Sequence, residues 1–212
     1  MTEILSSKNA DCSMVLTATT TADELQLHYR VTNTGEAVIY LCDQFRQLSE
    51  PSAATGESIH DLSPRMVHVQ IDDQGVCIDK AIMDLSFHDG IKGLDIPFLT
   101  RLQPGQEHVQ TLQIPQPLQP YRVQNSPPAE AAPTLLPMRF SLGYFVGSTQ
   151  IEENITQETT SQGLLLCIAS FMYKHQQIIT IGPFHQPIPV ANAIVGTSPH
   201  TTSAQQWTPW GP

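Results

Sequence analysis

The chain has 212 residues and a net charge of −10, with 10 Lys plus Arg against 20 Asp plus Glu. That length suits one good-sized domain with loops and a tail. Cations are few and form no basic run, which excludes phosphate neutralisation on nucleic acid and docking to an anionic membrane.

Charged residues make up only 14% of the chain and Pro numbers 17. The polar surface is therefore built from Gln, Thr, Ser and Asn, which suits strands and turns better than long helices. The cysteines are Cys12, Cys42, Cys77 and Cys167. None has CxxC spacing, so zinc-ribbon and thioredoxin chemistry is not expected. The opening MTEILSSKNADC has no secretory pattern, and no apolar run is long enough to span a bilayer. These readings predict a cytoplasmic protein with reduced thiols, in which Cys42 and Cys77 serve as small core residues.

Residues 1–12 read as a flexible N-terminus. Ser13 to Thr19 alternates as a first strand. From Glu24 to Asp43 the chain runs ELQLHYRVTNTGEAVIYLCD. Leu25, Leu27, Tyr29 and Val31 alternate with polar residues, the period of a strand with one buried face. Asn33-Thr34-Gly35 then predicts a hairpin with Gly35 at positive φ, returning through Val38 to Cys42. Gln44 to Pro64 reads as a long connection with a helical turn near Phe45 to Leu48. Arg65 to Asp72 and Val76 to Ile82 form a hairpin around Asp72-Asp73-Gln74-Gly75.

Asp84 to Gly93 reads as a loop, Ile96 to Leu102 as extended, and Pro104-Gly105 as a turn into a strand from His108 to Ile114. Pro115 to Pro137 holds seven prolines and predicts a loop or an extended surface segment. Met138 to Val146 is the clearest late strand. Ser148 to Gln162 is polar. Gly163 to Tyr173 fits a helix face and a buried strand equally well. Gln177 to Ile181 closes the domain, and residues 184–212 form an irregular tail. About eight short strands over residues 13–183 predict an all-β protein, an antiparallel β-sandwich.

The segments LHYRVTNTGEAVIYLCD, DDQG, LQPGQEHVQTLQI and FSLGYFVG together resemble the small immunoglobulin-like or fibronectin-like sandwiches of bacterial proteins. In outline they are similar to the intracellular proteinase-inhibitor type. The resemblance covers roughly residues 13–182 and implies an immunoglobulin-like sandwich. The chain departs from antibody domains in lacking a core Trp between paired cysteines: Trp207 and Trp210 both lie in the tail. No inhibitory motif can be matched, so the resemblance implies a fold and not an activity.

The chemistry-bearing residues are scattered. Ser86, His88 and Asp89 are close in sequence, but adjacency is not triad geometry, and there is no G-x-S-x-G elbow. His60-Asp61, His68, His88-Asp89 and His108 could supply a metal, yet no HxH or HExxH spacing pre-organises a pair. Asp72, Asp73 and Asp79 read as turn and strand residues rather than a calcium site. Asn154 opens a sequon that has no meaning without secretion. The expectation is a non-enzymatic protein with no cofactor and no bound metal. It would act by contact with another protein or by self-association, through loops, a sheet edge and the anchors Trp207 and Trp210. The alternative is a sandwich that binds a small ligand or carbohydrate, which the inward aromatics Tyr29, Phe140 and Tyr144 disfavour.

Overall fold

The computed structural model of the chain describes residues 1–48, 60–63, 66–86, 92–120, 132–160 and 163–191. These residues are mostly β. In chain order the strands are β1 (Thr2–Lys8), β2 (Cys12–Thr20), β3 (Glu24–Asn33), β4 (Ile39–Leu48), β5 (His60–Ser63), β6 (His68–Asp72), β7 (Gly75–Lys80), β8 (Met83–Ser86) and β9 (Lys92–Asp95). There follow β10 (Phe98–Leu102), β11 (Glu107–Pro115), β12 (Thr134–Leu136), β13 (Met138–Val146), β14 (Ile155–Thr160), β15 (Gly163–Ile168), β16 (Gln177–Ile181) and β17 (Ile188–Val190). A one-turn helix, α1 (Thr149–Glu152), and a 3₁₀ helix at Ser170–His175 complete the elements. No helix among the described residues is long and apolar enough to cross a membrane.

Two main sheets form. The smaller runs β1-β2-β3-β11. The larger runs β14-β15-β10-β4-β13-β7-β6, with β16 on β13 and β5 on β4. All pairs are antiparallel except β7 with β13, which run parallel from Met138↔Val76 to Leu142↔Lys80. The larger sheet is thus mixed, where an antiparallel one was expected. One core is shared by the two sheets: Met14, Leu16, Leu27, Tyr29 and Val31 from the smaller, and Leu41, Ile78, Phe140, Leu142 and Tyr144 from the larger. A second core, with Tyr40, Cys42, Leu99 and Phe145, occupies the opposite face of the larger sheet. Ile151 of α1 and Met172 of the 3₁₀ helix cover it.

The run from Asn33 to Gly35 does not make a hairpin. β3 pairs with β2 and β11, whereas β4 pairs with β10, β13 and β5. The chain crosses there from one sheet to the other, and at Gln103 to Gln106 it crosses back. Asn33, fully buried, joins the two crossings. Its Nδ2 donates to Ala37 O at 2.8 Å and Leu102 O at 3.0 Å. Its Oδ1 accepts from Gly35 N, its backbone N–H donates to Gln106 O, and its carbonyl accepts from Gly105 N. Gly35 is not at positive φ, as Gly75 and Gly105 are. Its small size serves a close approach instead: a Cβ there would lie 3.3 Å from Asp11 Cα.

Other segments also differ from the sequence reading. The first twelve residues hold β1, which pairs with β2 over seven residues from Thr2↔Thr19 to Lys8↔Ser13. Backbone pairing fixes it, although Leu5 is the lone hydrophobic on its inward row. β4 continues to Leu48 with no helical turn at Phe45. Asp84 to Gly93 contributes to the β8–β9 hairpin. Gly163 to Tyr173 is both things in turn, β15 and then the 3₁₀ helix. The tail begins in order, with β17 pairing β12.

A buried charged cluster and an exposed sheet face as candidate functional sites

Three strands place charge where their alternation calls for hydrophobics. On β4 the inward row runs Ile39, Leu41, Asp43. On β7 it runs Val76, Ile78, Lys80. On β11 it runs Ile114, Leu112, Gln110, His108. Asp43 and Lys80 are fully buried, and His108 keeps 22% of its side chain exposed. The polar ends of all three rows meet between the sheets, beneath β11, which borders the smaller sheet.

Lys80 Nζ donates to Asp43 O at 2.5 Å and to Gln110 Oε1 at 3.3 Å, and it stands 6.0 Å from the centroid of the Phe45 ring. The Tyr29 hydroxyl donates to the same Gln110 oxygen. His108 Nε2 lies 2.7 Å from Asp43 Oδ2. That contact is electrostatic rather than an aligned hydrogen bond, and neither carboxylate oxygen of Asp43 accepts one among the described residues. Burial drives the Lys80 ammonium down to about 8, against the upward pull of Asp43. Burial first, and then the Asp43 charge, push the Tyr29 phenol well above its ordinary value. Each effect follows from moving charge out of water.

This cluster holds charge in place. Of its ionisable heads only His108 reaches solvent, so the arrangement stabilises a fixed geometry between the sheets. Sequence reasoning named His108 and missed Lys80 and Asp43. The available signal was parity: a charged residue on the apolar parity of a strand.

His68 is 4% exposed and faces the Phe45 ring edge-on at 4.8 Å between centroids. Its Nε2 lies 3.1 Å from Asp95 Oδ2. His68 and His108 therefore contact Phe45 and Asp43 respectively, two residues of one inward row. Among the described residues no three His, Cys, Asp or Glu side chains could hold a metal. The other sequence candidates do not converge. Asp72 accepts from Gln74 N at 2.8 Å and pairs with Arg139, while Asp79 lies at the far end of the same hairpin, accepting from Gln70 Nε2 at 3.1 Å. Asn154 donates to Gln150 O. All four cysteines are free, and Cys42 and Cys77 are buried. Ser86 ends β8, but His88, Asp89, Trp207 and Trp210 lie outside the described residues, as do the side chains of His60 and Asp61.

The second candidate is the outer face of the smaller sheet. The registers set Lys8, Ser13, Thr32 and Glu107 in one row, and Ser6, Val15, Arg30 and Val109 in the next. Ile4, Thr17, His28 and Thr111 follow, then Thr2, Thr19, Gln26 and Gln113. Cross-strand hydrogen bonds flatten the polar rows: Thr2 to Thr19 at 3.1 Å, His28 Nδ1 with Thr111 at 2.9 Å, and Thr32 to Glu107 at 3.1 Å. Ile4 is 65% exposed and Val109 48% exposed. The face carries two cations, Lys8 and Arg30, and two anions, Glu107 and Glu24 at the start of β3, so it is close to neutral within a chain of net charge −10. It offers no Phe, Tyr or Trp.

No family model, curated protein or solved structure matches the chain.

Proposed function

We propose that the protein is a non-enzymatic interaction module, an immunoglobulin-like β-sandwich that acts by contact with another protein. The observation that supports this is the outer face of β1-β2-β3-β11. It is broad and nearly uncharged, and it bears exposed Ile4, Val15 and Val109 among hydroxyls and amides that hydrogen-bond readily. Its two cations are balanced by two anions, Arg30 Nε lying 4.0 Å from Glu107 Oε2, which favours a partner with a neutral polar surface. Trp207 and Trp210 add anchors from the tail in this reading. The face has no aromatic platform, which speaks against carbohydrate stacking there.

The test compares wild type with Val15→Glu/Val109→Glu, both outward positions. Proteins captured from native lysate and the mass in solution by light scattering are measured for each. Loss of one defined partner, or of self-association, with an unchanged melting temperature supports the reading. Identical capture and identical mass for both proteins overturn it.

A further inference from the structure

Independently of the exposed face, the seam between β10 and β15 opens into a cavity. The two strands pair at Leu99↔Leu166 alone. Continuing that register would set Phe98 opposite Cys167 and Pro97 opposite Ile168. Pro97 has no N–H to donate, so the ladder cannot extend to it and the strands part. The pairing of β10 with β4 also shifts register between Phe98 and Leu99, which bends β10 away at the same point. The gap that results holds a cavity of about 300 Å³, lined by Leu94, Asp95, Ile96, Pro97, Cys167 and Ile168.

The chemistry of this lining is specific. Leu94, Ile96 and Ile168 belong to the apolar layer of the second core. Asp95 is the lone formal charge in the lining. Its Oδ2 lies 3.1 Å from Nε2 of the nearly buried His68, and 24% of its side chain stays open. At the opposite wall the Cys167 thiol donates to Glu158 Oε2 at 3.4 Å. The lining thus sets the side chains of Leu94, Ile96 and Ile168 beside one acidic residue, a mixed apolar and polar surface of the kind small-molecule sites use.

We propose that this cavity binds a short aliphatic primary amine as its ammonium ion. The ammonium would meet Asp95, and the alkyl chain would lie along Leu94, Ile96 and Ile168. A carboxylate partly withdrawn from water attracts a cation more strongly than one on the surface. An anion of the same length is repelled by Asp95, and a neutral alcohol can donate one hydrogen bond to it but forms no ion pair.

The test is a backbone amide NMR titration of the full chain with n-pentylammonium, pentanoate and pentanol. For a ligand of this size a dissociation constant on the order of 1 mM is expected. The shifts should centre on residues 94–96 and 167–168 and should appear with the ammonium only. Asp95→Asn should weaken binding at least about tenfold, a loss of one charged contact. Cys167→Trp, which fills the space and leaves the charge, should abolish it. Retained dispersion of the other amides shows that each variant is folded. Absence of shifts at these amides, equal shifts from pentanoate or pentanol, or full binding by folded Asp95→Asn would overturn the proposal.

Discussion

Replacing Lys80 by Met tests the account of the buried cluster through its pH dependence. In the folded chain Lys80 titrates at about 8, against an ordinary value of 10.5. The unfolded chain therefore holds more protons on this residue between pH 8 and 10.5, so its contribution to stability rises with pH across that window. Below pH 8 the full cost of burying the ammonium is present. By pH 10 about 2.5 kcal/mol of it should be relieved, since one pKa unit is worth about 1.4 kcal/mol. The buried thiols and phenols act in the other direction. Cys12 and Cys77 are pushed up to about 11 and about 12, and Tyr29 is also raised, so stability falls as the unfolded chain deprotonates at these groups. They are common to both proteins and cancel in the difference.

Urea unfolding of wild type and Lys80→Met at pH 7, 8, 9 and 10 gives that difference directly. Wild type should gain roughly 2–3 kcal/mol relative to the variant between pH 7 and 10, or roughly 5–10 °C in Tm for a chain of this size. The absolute effect of the substitution at pH 7 is a separate quantity. Losing the cation removes a burial cost but leaves the Asp43 carboxylate with the His108 imidazole beside it. Parallel stability curves over pH 7–10 would refute the reasoning, because an ammonium that stays solvated cannot show the shift.

Two further outcomes follow from the structure. Asn33→Ala should cost about 2 kcal/mol in urea unfolding, because the Ala37 and Leu102 carbonyls at the sheet crossings lose a buried donor while Gly35 N keeps Asp11 O, and Asn33→Asp should not restore it, since the lost Nδ2 donors are not replaced. Deleting residues from Thr201 onward should weaken association in size-exclusion chromatography with light scattering and leave the melting temperature unchanged; unaltered association would remove the tail from the proposed contacts.

The strand pattern was readable because period two reports directly which side chains are buried. Leu25, Leu27, Tyr29 and Val31 are all fully buried, as their spacing implies. What alternation does not report is which strand lies alongside. That is why β3 and β4 read as a hairpin although they belong to different sheets. A turn signal such as Asn-Thr-Gly marks a change of direction, and a crossing between sheets changes direction as sharply as a hairpin does. β1 escaped notice for a different reason. Its inward row is Glu3, Leu5 and Ser7, and strand formation there rests on backbone pairing with β2, which composition does not record. The cavity was equally illegible. It depends on β10 and β15 meeting at Leu99↔Leu166 and parting beyond it, a pairing set by tertiary structure. The charged cluster was legible in part, since Asp43 and Lys80 each continue an apolar parity.

The position of that cluster suggests why such costly groups are kept. A buried ion pair can often be replaced by hydrophobic residues with no loss of stability, so stability alone does not account for it. Register does. If β11 slipped by one residue against β3, Val109 and Thr111 would turn inward while His108 and Gln110 faced solvent. An apolar row could absorb that slip at modest cost, because Val109 packs as well as many residues. Asp43 and Lys80 could not, since the slip would strip Asp43 of the imidazole and Lys80 of the Gln110 oxygen. Two fully buried charges facing β11 thus penalise the wrong register far more than they stabilise the right one. β11 is where that penalty matters most. It borders the smaller sheet, with β3 as its sole strand partner among the described residues, and the same strand presents Glu107, Val109, Thr111 and Gln113 to the proposed contact face. Holding the inward row in place also fixes the outward one.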